Sequence, residues 1–165
     1  MNAREGNSHH FFYPRQTVLV TSHFEGKDNA MVLDWTMPAS FDPFMVAIAV
    51  GTSRHSYEMI LKSEEFVLSV MPLSLKEKVL YFGTHSGRDG DKFEATGLAR
   101  ERASKVGAPL IRDAIANFEC KVTSHVDAGD HVIFVGEVLE ARINKTALEK
   151  EKKMYNTGNR QFTGL

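Results

Sequence analysis

From Ala116 to Val126 the chain alternates in character. Ala116, Phe118, Cys120, Val122 and Val126 fall on one parity, and Asn117, Glu119, Lys121, Thr123 and His125 on the other. A period of two is the signature of a strand with one face buried and one facing water. Asp127-Ala128-Gly129-Asp130 carries turn residues, and His131 to Ile143 returns as a more apolar run. So short a connection joins strands antiparallel, and the pair predicts a long hairpin.

The remaining strands read the same way. Thr17-Val18-Leu19-Val20-Thr21 is rich in β-branched residues, Glu25-Gly26-Lys27-Asp28 is a polar turn cluster, and Met31-Val32-Leu33 with Trp35 is again β-leaning. That spacing predicts another antiparallel hairpin. Pro38 and Pro43 flank Ala39-Ser40-Phe41-Asp42, which the missing amide donors mark as a loop. Phe44 to Val50 is a short apolar run of the kind buried on both faces, and Phe66 to Val70 reads as a further strand. Helices are predicted over Tyr57–Lys62, over Leu75–Phe82 behind a Ser74/Glu77 capping box, over Lys92–Thr96 ended by Gly97, and over Lys145–Lys153. Gly83 to Asp91 is a long polar loop of the sort that carries function. Met154 to Leu165 reads as irregular. Residues 1–11 are expected to form a flexible arm, whose Phe11-Phe12-Tyr13-Pro14 end could anchor on the body or on a partner subunit. The sum is a mainly β class, with β-strands and peripheral α-helices in a closed or split barrel.

At 165 residues the chain is expected to be one domain. A net charge of −1 speaks against nucleic acid as a partner. One cysteine allows no internal disulfide, no apolar run approaches the ~20 residues of a membrane span, and Met1 to His10 has no apolar signal core. A cytoplasmic protein that engages no membrane is the expectation.

The stretch Gly51-Thr52-Ser53-Arg54-His55-Ser56-Tyr57 sets a cation and small hydroxyls where a helix begins. Free N–H groups and the helix dipole make such a place receptive to an anion, a phosphate above all. Arg54 is the first candidate partner, Lys92 the second, and Ser53 and Ser56 can add hydroxyl donors. On spacing alone Arg54 and Lys92 read as solvated loop charges, Trp35 as a core or partly buried residue and His131 as a strand-edge histidine. Cys120 reads as a small buried hydrophobe. His9-His10 lacks companion ligands, so no metal site is predicted. There is no G-x-G-x-x-G, Walker A, H-E-x-x-H or nucleophile elbow.

Several pieces taken together resemble the FMN-binding split β-barrel proteins of the flavin reductase-like family, and within it the flavoredoxin branch. They are Asn29-Ala30-Met31, Trp35, Ser40-Phe41-Asp42-Pro43, Ser53-Arg54-His55-Ser56-Tyr57, Ser86-Gly87-Arg88-Asp89-Gly90-Asp91-Lys92-Phe93, Ala108-Pro109-Leu110-Ile111, and Gly129-Asp130-His131 with Phe134 to Val138. The likeness runs from about Phe12 to Gly164. It implies a non-covalent FMN site. Arg54, Ser53, Ser56, Ser86 and Lys92 would serve the phosphate or ring, and Trp35 and Asn29 would lie beside the flavin. The backbone of Thr36, Met37 and Pro38 would follow the ring edge, His131 would face the flavin and tune its potential, and Phe162 would close the site from the tail. The tail departs from the family, since Asn156 and Asn159 stand where His and Gly are common; Phe44 likewise replaces a common second Pro. The resemblance also implies a homodimer with a small-molecule or protein redox partner. Two functions stay open: an NAD(P)H-dependent reductase of free flavin or ferric chelates, and a flavoredoxin-like electron carrier without NAD(P)H turnover. A non-redox flavin-binding module is the third.

Overall fold

The arrangement follows from a short link across a wide sheet. In the computed structural model, which describes residues 8–165, twelve strands form: β1 (Arg15–Gln16), β2 (Val18–Phe24), β3 (Lys27–Leu33), β4 (Thr36–Phe41), β5 (Phe44–Gly51), β6 (Glu65–Val70), β7 (Arg100–Glu101), β8 (Leu110–Ile111), β9 (Ala116–Ala128), β10 (His131–Ile143), β11 (Met154–Gly158) and β12 (Gln161–Gly164). The helices are α1 (His55–Ser63), α2 (Lys76–Thr84), α3 (Lys92–Thr96) and α4 (Lys145–Lys150). Seven strands make one antiparallel sheet in the order β3-β2-β6-β9-β10-β5-β4. Its two edges, β3 and β4, are joined by Asp34-Trp35 alone. Laid flat, edges six spacings apart would lie roughly 28 Å from each other, whereas three Cα steps reach about 11 Å at most. The sheet therefore rolls until its edges approach, leaving a seam at Asp34-Trp35. Trp35 belongs to the β4 side, because its carbonyl accepts from Ala49 N at 2.9 Å.

Side chains such as Val20, Ile48, Phe66 and Phe134 fill the inside of the roll, and a second apolar cluster around Leu19, Met71, Val79, Phe82 and Phe93 packs α2 and α3 outside it. Each fully buried large side chain stabilises by roughly 1.5–3 kcal/mol. Gly136 on β10 is part of this packing, since a Cβ there would sit 2.7 Å from the Phe66 ring. The β2–β3 hairpin turns through Glu25 (φ 49°) and Gly26 (φ 76°), the double positive φ of a type I′ turn. The mainly β class with peripheral helices is what the structure shows.

Four local readings need correction. Ala39 to Phe41 is not a loop, because Thr36–Phe41 is the edge strand β4, with Pro38 beside a register shift between Pro38 and Ser40. An edge strand with a bulge is where proline fits a sheet. Ser74 does not cap α2; it lies in a 3₁₀ turn over Leu73–Leu75, and α2 starts after Leu75 with no side-chain cap. Met154 to Leu165 is not irregular, since β11 and β12 join β1 in a three-stranded sheet. Of the arm, residues 1–7 lie outside the described residues, and Ser8–Phe12 form a 3₁₀ turn.

The fourth correction concerns the polar face of β9. Asn117 and Glu119 are buried there, not solvated. The chain between α3 and β9 folds over this face and turns its own backbone groups onto them. Asn117 Oδ1 accepts from Ile111 N (3.0 Å) and Ser69 Oγ (2.7 Å). Glu119 accepts from Ser104 N (2.9 Å), Lys105 N (2.6 Å) and Ser104 Oγ (3.1 Å). Glu119→Ala strands two backbone donors, and urea unfolding is expected to show a loss of about 3 kcal/mol. Glu119→Gln, which keeps one acceptor, is expected to lose less.

Candidate functional site

A cleft of about 610 Å³ opens along the seam. One wall is β3 and Trp35, a second is the turn from β5 into α1, a third is the loop after α2, and the tail hairpin β11–β12 closes the fourth. Where β5 runs into α1, Arg54 is the N-cap residue (φ −78°, ψ 141°) and offers no side-chain cap. Tyr57 N donates to Arg54 O at 3.1 Å, and the His55 and Ser56 N–H groups remain for an incoming acceptor. The Arg54 guanidinium is exposed and makes no ion pair among the described residues.

Nine of the twelve residues named from the sequence line this cleft. Asn29, Trp35, Ser53, Arg54 and Ser56 come from the β3–α1 region; Ser86, Lys92, His131 and Phe162 arrive from the loop, α3, β10 and the tail. Thr36, Met37 and Pro38 do not line it. They ladder onto β5 opposite Ile48, Ala47 and Val46, and Met37 is 61% exposed.

Lys92 lines the cleft but is not a free cation. Its Nζ donates to Ala30 O (2.5 Å), His85 O (3.2 Å) and Phe82 O (3.4 Å), so all three ammonium protons meet carbonyls. Two of those carbonyls lie at the C-terminal end of α2, where a cation is welcome. Burial pushes the Lys92 pKa down to about 8. Asp91 sets this lysine in place by capping α3 through Phe93 N (2.8 Å) and Glu94 N (3.2 Å). Those bonds and the adjacent Arg100 hold the Asp91 carboxyl below the usual range, against its own burial, which pushes the other way.

Two buried polar atoms in the corner between β3, α1 and the loop have no hydrogen-bond partner: Asn29 Oδ1, and His55 Nδ1, which lies 3.9 Å from Glu58 Oε2. Asn29 Nδ2 already donates to Ser56 Oγ at 2.8 Å. His55 has its pKa lowered, first by burial and then by Arg88, so the neutral ring is favoured. Gly87 lies directly above them, and a Cβ there would stand 2.2 Å from Asn29 Oδ1 and 3.2 Å from His55 Cδ2. Arg88 clamps the same loop to α1, with Nη2 3.2 Å from Glu58 Oε2 and Nη1 donating to Ser53 O at 3.3 Å.

At the seam the Trp35 and His131 rings stack, centroids 4.5 Å apart and 25° from parallel. His131 Nδ1 is 2.7 Å from Asp130 Oδ1, and that bond holds the Asp130 carboxyl below its usual range. An ionised carboxylate only accepts, so Nδ1 carries the proton and Nε2 is the free ring atom.

Sequence reasoning missed His55, Asp34, Asn156 and Arg160 as cleft-lining groups, and included Arg88 only within the Ser86–Phe93 stretch. Asp34 and Asn156 join across the seam at 2.6 Å, a pairing of residues 122 apart that no local pattern announces.

Comparison with known proteins places the chain in a family. The flavin reductase like domain model matches residues 9–164. The chain belongs to the flavin reductase-like family. An uncharacterized protein of Archaeoglobus fulgidus is 38% identical over 139 residues, 84% of this chain and 78% of that one. The ferric-chelate reductase (NAD(P)H) of the same organism is 27% identical over 130 residues, 78% and 76% of the two chains. Among solved structures, the FMN-binding protein of Thermus thermophilus, with bound p-hydroxybenzaldehyde, superposes with a TM-score of 0.88 at 25% identity, over 99% of this chain and 92% of that one. The flavoredoxin of Methanosarcina acetivorans shares the fold, with a TM-score of 0.88 at 22% identity over 100% and 92%. No helix among the described residues of this flavin reductase-like chain is long and apolar enough to cross a membrane.

Gly87→Ala tests how tightly the loop sits. The clashing atom belongs to a buried side chain tied to Ser56, so the loop must lift. Denaturant unfolding is expected to show a loss of about 1–3 kcal/mol; an unchanged midpoint would mean the loop already rides free of Asn29.

Proposed function

We propose that the cleft binds FMN non-covalently and that the chain is an NAD(P)H-dependent oxidoreductase acting on free flavin or a ferric chelate. The observation that carries this is the pair of buried, unpartnered atoms, Asn29 Oδ1 and His55 Nδ1, beside an uncapped helix start and an unpaired Arg54. Such atoms cost about 1–3 kcal/mol each when left bare. A ligand with a row of ring donors and acceptors and a phosphate answers both needs. Bound there, FMN would supply the redox centre.

The chain's own part is to hold, orient and bias. Arg54, Ser53 and the α1 N-terminus would hold the phosphate; Asn29, Ser56 and Ser86 would orient the ring, between the apolar surfaces of Trp35 and Phe162. Asp130 keeps the His131 proton on Nδ1, so His131 offers Nε2 toward the site and would adjust the potential. Lys92, engaged by carbonyls, adds positive field more than a direct bond. Thr36 to Pro38 have no assigned contact in this reading.

The alternative is a flavoredoxin-like carrier between redox proteins. Trp35, 40% exposed at the seam, favours it, because a protein partner could reach the cleft edge there. We also propose a homodimer. Phe41 (95% exposed) and Met37 stand in water along the β4–β5 hairpin, with Phe11 and Phe12 exposed on the arm, and a second copy would cover such a surface. Light scattering is expected to give about twice the chain mass at micromolar concentration; a monomer would remove the dimer.

An anaerobic absorbance titration tests the main reading. The protein is expected to carry or take up FMN, and NAD(P)H is expected to bleach it rapidly. A flavin that bleaches only with dithionite would move the reading to the carrier, and a protein that never takes up FMN would end both. Arg54→Ala is expected to weaken FMN about tenfold. The pH dependence has a definite sign. A bound anion favours the charged Lys92, whose pKa in the free protein is about 8. Affinity is therefore full below pH 8 and falls above it, by up to about tenfold per pH unit.

A further inference from the structure

The tail hairpin carries a residue that its turn does not want. β11 and β12 are joined by Asn159-Arg160, with φ of 52° and 59°. Two positive φ angles define a type I′ turn, whose favoured residues are Asn and then Gly. Asn159 fits, whereas Arg160 holds a left-handed conformation that penalises a side chain. Backbone strain of this kind is a pointer to function when the side chain reaches something. Arg160 lines the cleft.

The hairpin that presents it is fastened down. Asp34 accepts from Thr17 Oγ1 (2.7 Å) and from Asn156 Nδ2 (2.6 Å), and Asn156 Oδ1 accepts from Gly158 N (2.8 Å). β11 is laddered to β1 through Arg15 and Gln16, and Tyr13 packs over Gly158. The turn is thus held beside the seam, on a different wall from α1.

The charges around the cleft leave Arg160 unanswered. Each Asp34 oxygen already accepts a bond, and Asp89, the other carboxylate on the wall, makes no ion pair among the described residues. Arg88 is engaged by Glu58 and Ser53 O, and Lys92 by three carbonyls. Among the described residues on the wall, Arg54 and Arg160 are the guanidinium groups without an ion pair. Arg54 sits with the helix start that suits one anion, so Arg160 is available to another.

Resting on the FMN reading, we propose that Arg160 is a specificity-determining residue that binds the oxyanion of a second substrate as it enters the cleft against the flavin. A guanidinium pairs in bidentate fashion with phosphate or carboxylate. The oxyanion is either the phosphate of a pyridine dinucleotide or the carboxylate of a metal chelate.

The test is isothermal calorimetry on FMN-loaded and cofactor-free protein, with NADP⁺, NAD⁺ and citrate as probes that allow no turnover. Arg160→Glu is expected to weaken binding at least tenfold in one arm. Arg160→Gly is expected to weaken the same arm while melting no lower than the wild type, because glycine relieves the turn. Arg160→Lys should restore part of the affinity. FMN affinity is expected to stay within twofold in all three. A response confined to the dinucleotides identifies the phosphate, and one confined to citrate the carboxylate. Unchanged affinities in both arms, or no binding of any probe to the wild type, overturn the proposal. A wild type that refuses FMN yet binds a probe through Arg160 would sink the flavin reading and leave only the oxyanion site at Arg160 standing.

Discussion

Asp34-Trp35 is the constraint on which the rest of the molecule depends. Two residues bridge the opposite edges of a seven-stranded sheet, and backbone reach then forces the sheet to roll. Trp35, bonded to Ala49 of β5, lies two strands away from His131 of β10, which pairs with Gly51 at the end of β5. Hence the Trp35–His131 stack exists because of topology, not local sequence. The same link supplies Asp34 as the anchor for the tail. A longer connection would free the sheet to open and would separate all four walls of the cleft.

Charge is distributed around the cleft by burial. A cation taken out of water needs acceptors, and Lys92, 7% exposed, finds three carbonyls at the junction of α2 and β3. That arrangement ties α3 to α2 and settles the loop carrying Ser86, Gly87 and Arg88. Arg54, on the exposed start of α1, has no such demand and stays available. Two cations that look alike in the sequence therefore have different tasks: Lys92 shapes the cleft, and Arg54 faces what enters it.

What the sequence discloses divides along the same line. The β2–β3 and β9–β10 hairpins, β5, β6 and α1 were legible because their signals are local: alternation, turn residues, a cluster of small residues before a helix. β4 was hidden by Pro38, whose missing donor argues against a strand until the strand proves to be an edge. In the tail, β11 was hidden because its partner, β1, lies about 140 residues earlier, and β12 pairs with β11 across a turn that has Arg160 where Gly would be the signal. Asn117 and Glu119 alternate as solvent-facing residues should, but the segment from Ala99 to Ile115 covers them, and coverage is a tertiary event. In the cleft, Arg54 and the α1 start were visible as a local pattern. Asp34, Asn156 and Arg160 were not, since nothing in their neighbours shows that they meet.

The interior outside the cleft satisfies its polar groups: Asn117, Glu119, Ser69 and Thr21 all have partners though deeply buried. The buried side-chain atoms left bare among the described residues, Asn29 Oδ1 and His55 Nδ1, both belong to cleft-lining residues. A fold optimised for stability alone would pair them, as it pairs the others, or would replace Asn29 with an apolar residue. Gly87 instead leaves no side chain to occupy that corner. Unmet hydrogen bonds confined to one place, in a protein that meets them elsewhere, are a deficit that a ligand can fill, and the stability forgone there is available as binding free energy.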